Sequence, residues 1–259
     1  MNAGWQEVLI TDVTRMKDET VCIAALASDF TVVRPELPPT GIARKWLFQQ
    51  GKQIIYPRAV VRMELKALER VTPPHLEDCH WVNPETTEYL RETSDERWAK
   101  VLFRQAFPAV RAAFETEILE NRMLRPQTGA RSLAFVADVH ELRFEVTQST
   151  YEVGKLDFRL FFKDATGIPY SRLPITDLTL RQVVNYRWEV ESLSLAAISD
   201  EITQMLQEKL AYLRLGVGRP FLKNKSSDFY CYLQVNGIYT IPDYLRGAKF
   251  EDYQIMGDR

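Results

Sequence analysis

The sequence predicts a mainly β protein with a helical insertion, an α+β chain organised as two barrel-like domains. Three observations predict it. Short apolar and β-branched runs separated by turn residues fill the first part of the chain, and the same texture returns after about residue 130. Between them lies a stretch whose apolar residues recur at helical spacing. The 259 residues exceed the usual size of one domain. The expected division is a first barrel over 1–82, a linking helical module over 83–128, and a second barrel with one helix over 129–259.

In the first part, Glu7–Asp12, Thr20–Leu26 and Thr31–Arg34 read as strands, with a polar turn at Met16–Glu19. Pro35, Pro38 and Pro39 interrupt the ladder, because proline has no backbone donor and restricts the residue before it. Gln53–Tyr56 and Ala59–Leu65 supply two more strands, and about five strands in such a length suit a small closed barrel. After Pro73-Pro74 the pattern changes. Helices are expected from Asp95 to about Phe107 and from Ala109 to Asn121, separated by Pro108, the second carrying a Val110, Phe114, Ile118 stripe. Strand patterns resume at Ala134–Val139, Leu142–Val146 and Lys155–Phe162, and Pro174–Thr179 reads as strand or turn. Ile202, Met205, Leu206 and Leu210 mark a helix from about Ile198 to Lys209, and Ala211–Leu215 and Tyr230–Val235 close the chain as strands.

Composition narrows the function classes. Hydrophobic residues make up 46% of the chain, enough for a core, and no apolar run is long enough to span a bilayer. The first residues have no basic stretch ahead of an apolar one, so no signal peptide is expected and cytoplasm is the default location. Cys22, Cys79 and Cys231 cannot all pair within one chain, Cys22 and Cys231 read as buried thiols in strand-like runs, and neither a disulfide framework nor a cysteine-rich zinc site is expected. Net charge is −2, from 33 basic and 35 acidic side chains, which argues against gripping long duplexes by counterion release. Charge is uneven: seven basic residues face two acidic ones between Arg34 and Lys66, whereas ten acidic residues face five basic ones between Glu77 and Glu120. The two signs suggest a ligand face and an acidic, partner-docking face, or solvated surfaces without function.

Catalytic signals are sparse. No phosphate-cradling glycine loop occurs; Gly216-Val217-Gly218 says only that the backbone needs room. His75, Cys79 and His80 lack a second ligand pair for a metal, and no cofactor is expected. Glu77 and Asp78 beside His75 can serve acid–base chemistry or cap a turn. Binding chemistry is better represented. Arg15, Lys17, Arg34, Arg172, Arg181 and Arg219 fall at turns or strand ends, where a guanidinium can fork onto phosphate or base edges. Tyr212, Tyr230, Tyr232, Tyr239 and Trp188 can stack on bases, and Gln234 and Asn236 can read a base edge. The same residues serve equally as core and as strand-end cover.

Four blocks in order, Leu9–Met16 with Val21–Ala24 and Val33–Pro35, Pro74–Asp78, Leu213–Phe221, and Leu233–Tyr239, resemble the bacterial dual OB-containing domain family, found near antiviral defence genes. The resemblance implies two OB-like barrels and nucleic-acid binding without a settled enzymatic activity. It implies a shared polar core at Arg15, Arg34, His75, Glu77, Asp78, Arg219, Gln234, Asn236 and Tyr239. Tyr232 stands where the family has tryptophan preceded by histidine, so neither indole stacking nor a histidine contact is carried over there.

The expectation is a non-catalytic recognition subunit that binds single-stranded nucleic acid, RNA or a nucleotide-like ligand through Arg15, Lys17, Arg34, His75, Arg219, Gln234, Asn236 and Tyr239. A protein partner would supply catalysis in a defence complex. The alternatives are a scaffold that binds protein only, and a hydrolase using the His75 cluster.

Overall fold

The computed structural model describes residues 4–17, 19–39, 41–150, 152, 154–222 and 228–253. It is mainly β, with 44% strand against 22% helix, and holds one closed five-stranded barrel and one half-barrel. In chain order the elements are β1 (Gly4–Arg15), β2 (Thr20–Ala27), β3 (Val32–Glu36), β4 (Ile42–Ala43), β5 (Phe48–Gln49), β6 (Lys52–Gln53), β7 (Ala59–Ala67), β8 (Asp78–Trp81), β9 (Glu88–Glu92), α1 (Asp95–Gln105), β10 (Ala106–Phe107) and α2 (Val110–Phe114). There follow β11 (Met123–Leu124), β12 (Leu133–Val136), β13 (His140–Gln148), β14 (Leu156–Lys163), β15 (Pro169–Pro174), α3 (Leu178–Glu189), α4 (Leu195–Gln207), β16 (Leu210–Val217), β17 (Phe221–Leu222) and β18 (Phe229–Ile241).

The closed barrel runs β1-β2-β3-β8-β7 and returns to β1; every pairing is antiparallel except β3 with β8. Closure depends on β1 being long enough to pair with two neighbours. Its first half, Gly4–Leu9, lies against β7, and Val8–Arg15 lies against β2. A bulge at Thr11 separates the two registers, because Ile10 and Asp12 face the adjacent residues Ala25 and Ala24. Val8, Ile10, Ile23, Val61, Met63 and the fully buried Trp81 fill the interior.

In the second half, β13-β14-β15 form a meander, and β12, β16 and β18 form the neighbouring sheet. Ile175, just past β15, makes a parallel bridge to Val235 of β18, so the meander continues into that sheet. Pairing of β13 with β16 would close this barrel, but α4 occupies the place. Ser199 and Thr203 accept hydrogen bonds from the amides of Val146 and Phe144 at 3.1 and 3.0 Å, and Gln207 donates to the Leu142 carbonyl at 2.8 Å. These side chains, four apart on one helix face, take the hydrogen bonds a further strand would have supplied.

Several elements depart from the sequence expectation, three of them instructively. Asp78–Trp81 is a strand, where the run after Pro73-Pro74 suggested only a turn. The second expected helix stops at Phe114, and Glu115 is left-handed at φ 52°. Its last carbonyls are taken elsewhere: Arg131 donates to Ala113, and the Ala130 amide to Phe114 at 3.0 Å. Finally, Leu178–Glu189 is a helix, although Thr179, Val183, Val184, Tyr186 and Trp188 favour a strand by propensity. Asp177 caps it by accepting the Leu180 amide at 3.0 Å, and its face of Leu178, Leu180, Val183 and Val184 is buried.

The two halves meet over a shared seam. Leu26, Trp98, Leu102, Phe135 and Tyr212, drawn from β2, α1, β12 and β16, make a small apolar cluster there. Beside it lies a buried polar layer.

Candidate functional site

Two backbone bulges aim polar side chains into the seam. Thr11 is the extra residue of β1, and Asn236 is the extra residue of β18, where Leu215 and Arg214 face Val235 and Gly237. Arg214 of β16 and Asp12 of β1 are each 1% exposed and pair at 2.8 Å. Asp12 also accepts the Thr11 hydroxyl at 2.7 Å and the Asn236 amide at 3.4 Å. Asn236 in turn accepts from Thr176 at 3.2 Å, and the Tyr239 hydroxyl donates to the Thr11 carbonyl. Gly216 makes room for this layer, since a Cβ there would lie 2.5–2.7 Å from the Asn236 side-chain atoms. Burial pushes the Asp177 carboxyl up to about 7, with Asp12 adding to the shift.

A second polar group lies at the edge of the seam. Arg34 donates through Nε to Asp78 at 2.6 Å, and its Nη2 lies 2.9 Å from Nδ1 of His75. Arg219 takes the other Asp78 oxygen at 2.6 Å and also pairs with Glu36. A guanidinium can only donate, so Nδ1 accepts and the His75 proton sits on Nε2, which is buried. Burial, followed by the Arg34 and Arg219 charges, pushes His75 down to about 4, so the ring is neutral near pH 7. Glu77 is not part of this group. It accepts from the Ser132 and Leu133 amides at 2.7 and 3.1 Å and ties the β7–β8 loop to β12.

Three adjoining clefts run across this edge. The first, of 470 Å³, holds Arg15, Lys17, Lys155 and Arg181 with Glu152. Met16 borders it and also the second, of 360 Å³, which is lined by Cys22, Arg34, Arg219, Gln234 and Asn236. Glu36 and Arg219 then lead into a third, of 650 Å³, with Arg70, His75 and Asp78. The trough therefore crosses the β2–β3 side of the barrel between the β1–β2 and β7–β8 loops. Among the described residues, Arg15, Lys17 and Arg70 have no ion-pair partner, whereas Lys155 pairs with Glu152. Arg181 is partly sunk: it donates to the Ile175 carbonyl at 3.0 Å and lies 4.0 Å from the Phe158 ring centre. Burial and then the Arg15 charge lower it to about 10, still protonated at neutral pH.

The residues singled out in the sequence thus separate into two sets. Arg15, Lys17, Arg219 and Gln234 present polar groups to the trough. Arg34 and His75 line it but are buried and bonded to one another. Asn236 is 3% exposed within the polar layer, and Tyr239 packs edge-on against Trp98 with ring centres 5.2 Å apart. Of the two buried aspartates, Asp12 holds Arg214 and Asp177 caps α3. Arg70 and Lys155 were not foreseen, because a lone cation in a loop has no pattern until the fold brings others beside it. Among the described residues, no group of three His, Cys, Asp or Glu is placed to hold a metal ion, and no helix is long and apolar enough to cross a membrane.

Neither a protein-family model nor a curated protein matches the sequence.

Proposed function

We propose that this chain is a non-catalytic recognition protein that binds single-stranded nucleic acid, RNA or a nucleotide-like ligand along the trough. The observation that carries this reading is the position of the trough: it follows β2 and β3 and is flanked by the β1–β2 and β7–β8 loops. We read the closed barrel as OB-like, since its order β1-β2-β3-β8-β7-β1 with the third and fifth barrel strands parallel is compatible with that fold. OB barrels bind oligonucleotides over this same strand pair and these same two loops. We read the half-barrel as a second OB-like unit, opened where α4 replaces the closing strand.

The chemistry of the trough suits a shaped single strand better than a duplex. Cations are few and mixed with carboxylates, and Gln234 offers both an amide donor and an acceptor for a base edge. Acid–base catalysis is poorly served, because His75 is neutral with Nδ1 already engaged and Glu77 is committed to backbone amides. In line with the family resemblance, we place the protein as the recognition subunit of a bacterial defence complex whose catalysis resides in a partner.

Fluorescence anisotropy with labelled 12-nucleotide DNA, RNA and duplex tests the reading across about 50 to 200 mM salt. Single strands are expected to bind more tightly than duplex. Arg219→Ala is expected to weaken them about tenfold or more, as loss of a charge-assisted contact does. Lys17→Ala should lower the salt slope by about 0.7 for each phosphate contact removed. Failure of every probe to bind at the lowest salt refutes the proposal.

A further inference from the structure

A cleft away from the trough combines an apolar floor with a cationic rim. It lies between α1 and the outer face of β1 and β2, has a volume of 400 Å³, and is floored by Leu9, Leu26, Val60 and Val101. Its rim carries Arg91, Arg97, Lys100 and Arg104. Two of these charges are answered, Arg91 by Glu7 at 3.6 Å and Lys100 by Glu96 at 2.6 Å. Arg97 and Arg104 have no ion-pair partner among the described residues, and the Arg104 guanidinium lies over the Phe30 ring at 4.4 Å.

Eight of the ten acidic residues between Glu77 and Glu120 bond within the chain. Glu77 and Asp78 bond as described; Glu88 pairs with Arg62, Glu92 with Lys249, Asp95 with Arg58, Glu96 with Lys100, Glu115 with Arg131, and Glu120 with Arg122. The arginines of α1 are left over. Arg97 and Arg104 are two helical turns apart, about 10 Å along the axis, on either side of Val101, so their long side chains can converge above it.

We propose that this cleft binds a small amphipathic anion, a carboxylate or phosphate monoester with an acyl or aryl body. The body lies on Leu9, Leu26, Val60 and Val101, and the anionic head lies between Arg97 and Arg104. The volume is within the usual range for small-molecule sites, and an apolar floor with a few convergent polar groups is their usual chemistry. A head group bonded by a guanidinium gains a charge-assisted bond, and the apolar floor lowers the dielectric in which that bond forms.

The test is isothermal titration of the full chain with dodecanoate and with 1-naphthyl phosphate, beside neutral dodecanol and inorganic phosphate as controls. The two anions distinguish an acyl from an aryl ligand. At least one is expected to bind at a single site, about tenfold or more tighter than either control, because neither control offers both the body and the head. Arg97→Gln/Arg104→Gln should weaken that binding about tenfold or more. Both arginines are exposed, and an unchanged melting temperature shows that the fold is intact. Filling the floor from its rim with Ser28→Trp should also displace the ligand. The proposal is overturned if neither anion binds, if dodecanol binds as tightly as dodecanoate, or if the double variant binds like the parent. Arg219→Ala, in the trough, should leave the titration unchanged.

Discussion

Replacing Arg214 with methionine removes one member of the most deeply buried ion pair in the seam and leaves Asp12 buried without its charged partner. In the parent protein, Asp12 has Arg214 at 2.8 Å, the Thr11 hydroxyl at 2.7 Å and the Asn236 amide at 3.4 Å. The variant keeps only the last two, both neutral donors. Breaking a buried pair on one side typically costs about 3–5 kcal/mol, mostly from the charge left behind. The Arg214 guanidinium also sits 4.6 Å from the Phe135 ring centre, a contact methionine replaces through its thioether. The expected loss is therefore about 3–5 kcal/mol, or roughly 6–20 °C in melting temperature for a chain of this size. Asp12→Leu alone should cost a similar amount, while the double variant should cost about 2 kcal/mol or more less than the sum. Urea unfolding followed by tryptophan fluorescence measures all three. Trp81 reports on the closed barrel and Trp188 on the half-barrel, and because the pair joins β1 to β16 the two should report one transition. A loss below about 1 kcal/mol for Arg214→Met, or simple additivity in the cycle, would show that this pair does not hold the halves together.

Four further outcomes follow from the polar groups. Asp177 binds its proton more tightly folded than unfolded, so its penalty is absent near pH 4, grows as pH rises, and is complete above about 7. Asp177→Asn keeps the helix cap and should gain on the parent across that window, by at most about 4 kcal/mol in denaturation at a series of pH values. His75 has the reverse sign. Held near 4 in the fold, it binds its proton less readily than when unfolded, so stability falls as pH drops from about 6.5 toward 4, and NMR should show its ring still neutral at about pH 5.5. Gly216→Ala should cost about 1–3 kcal/mol by forcing Asn236 off Asp12, read as a lower urea midpoint. Burial raises the Cys79 thiol to about 12, so it should react with a disulfide reagent at about pH 8 far more slowly in the folded chain than in urea.

The closed barrel was largely legible in the sequence, because Glu7–Asp12, Thr20–Leu26 and Ala59–Leu65 are apolar, β-branched and bounded by turn residues. Its last strand was not: Asp78–Trp81 is four residues long, and its pairing with Arg34 and Leu65 is visible only once the barrel closes. Helix α3 was hidden by strand-like residues, and Asp177 was the one local sign of its start. The site was partly legible. Arg15, Lys17, Arg219 and Gln234 stand in the trough, and the first three fall at strand ends or in loops as read, whereas Arg214, in mid-strand, lies wholly inside the seam. The bulges at Thr11 of β1 and Asn236 of β18, which shape the polar layer around it, left no sign in the sequence.

Arg219 reaches the trough already engaged, holding Asp78 on one side and Glu36 on the other. Any anion that approaches it meets two resident competitors. On the proposed reading, a phosphate in the trough would have to compete with Glu36 and Asp78 for Arg219, so the two acids would set a threshold that a weakly charged ion does not pass. Asp78 also carries Arg34, so a ligand that drew Arg219 away, as the proposed function requires, would leave Arg34 as the cation paired with Asp78 in the barrel wall.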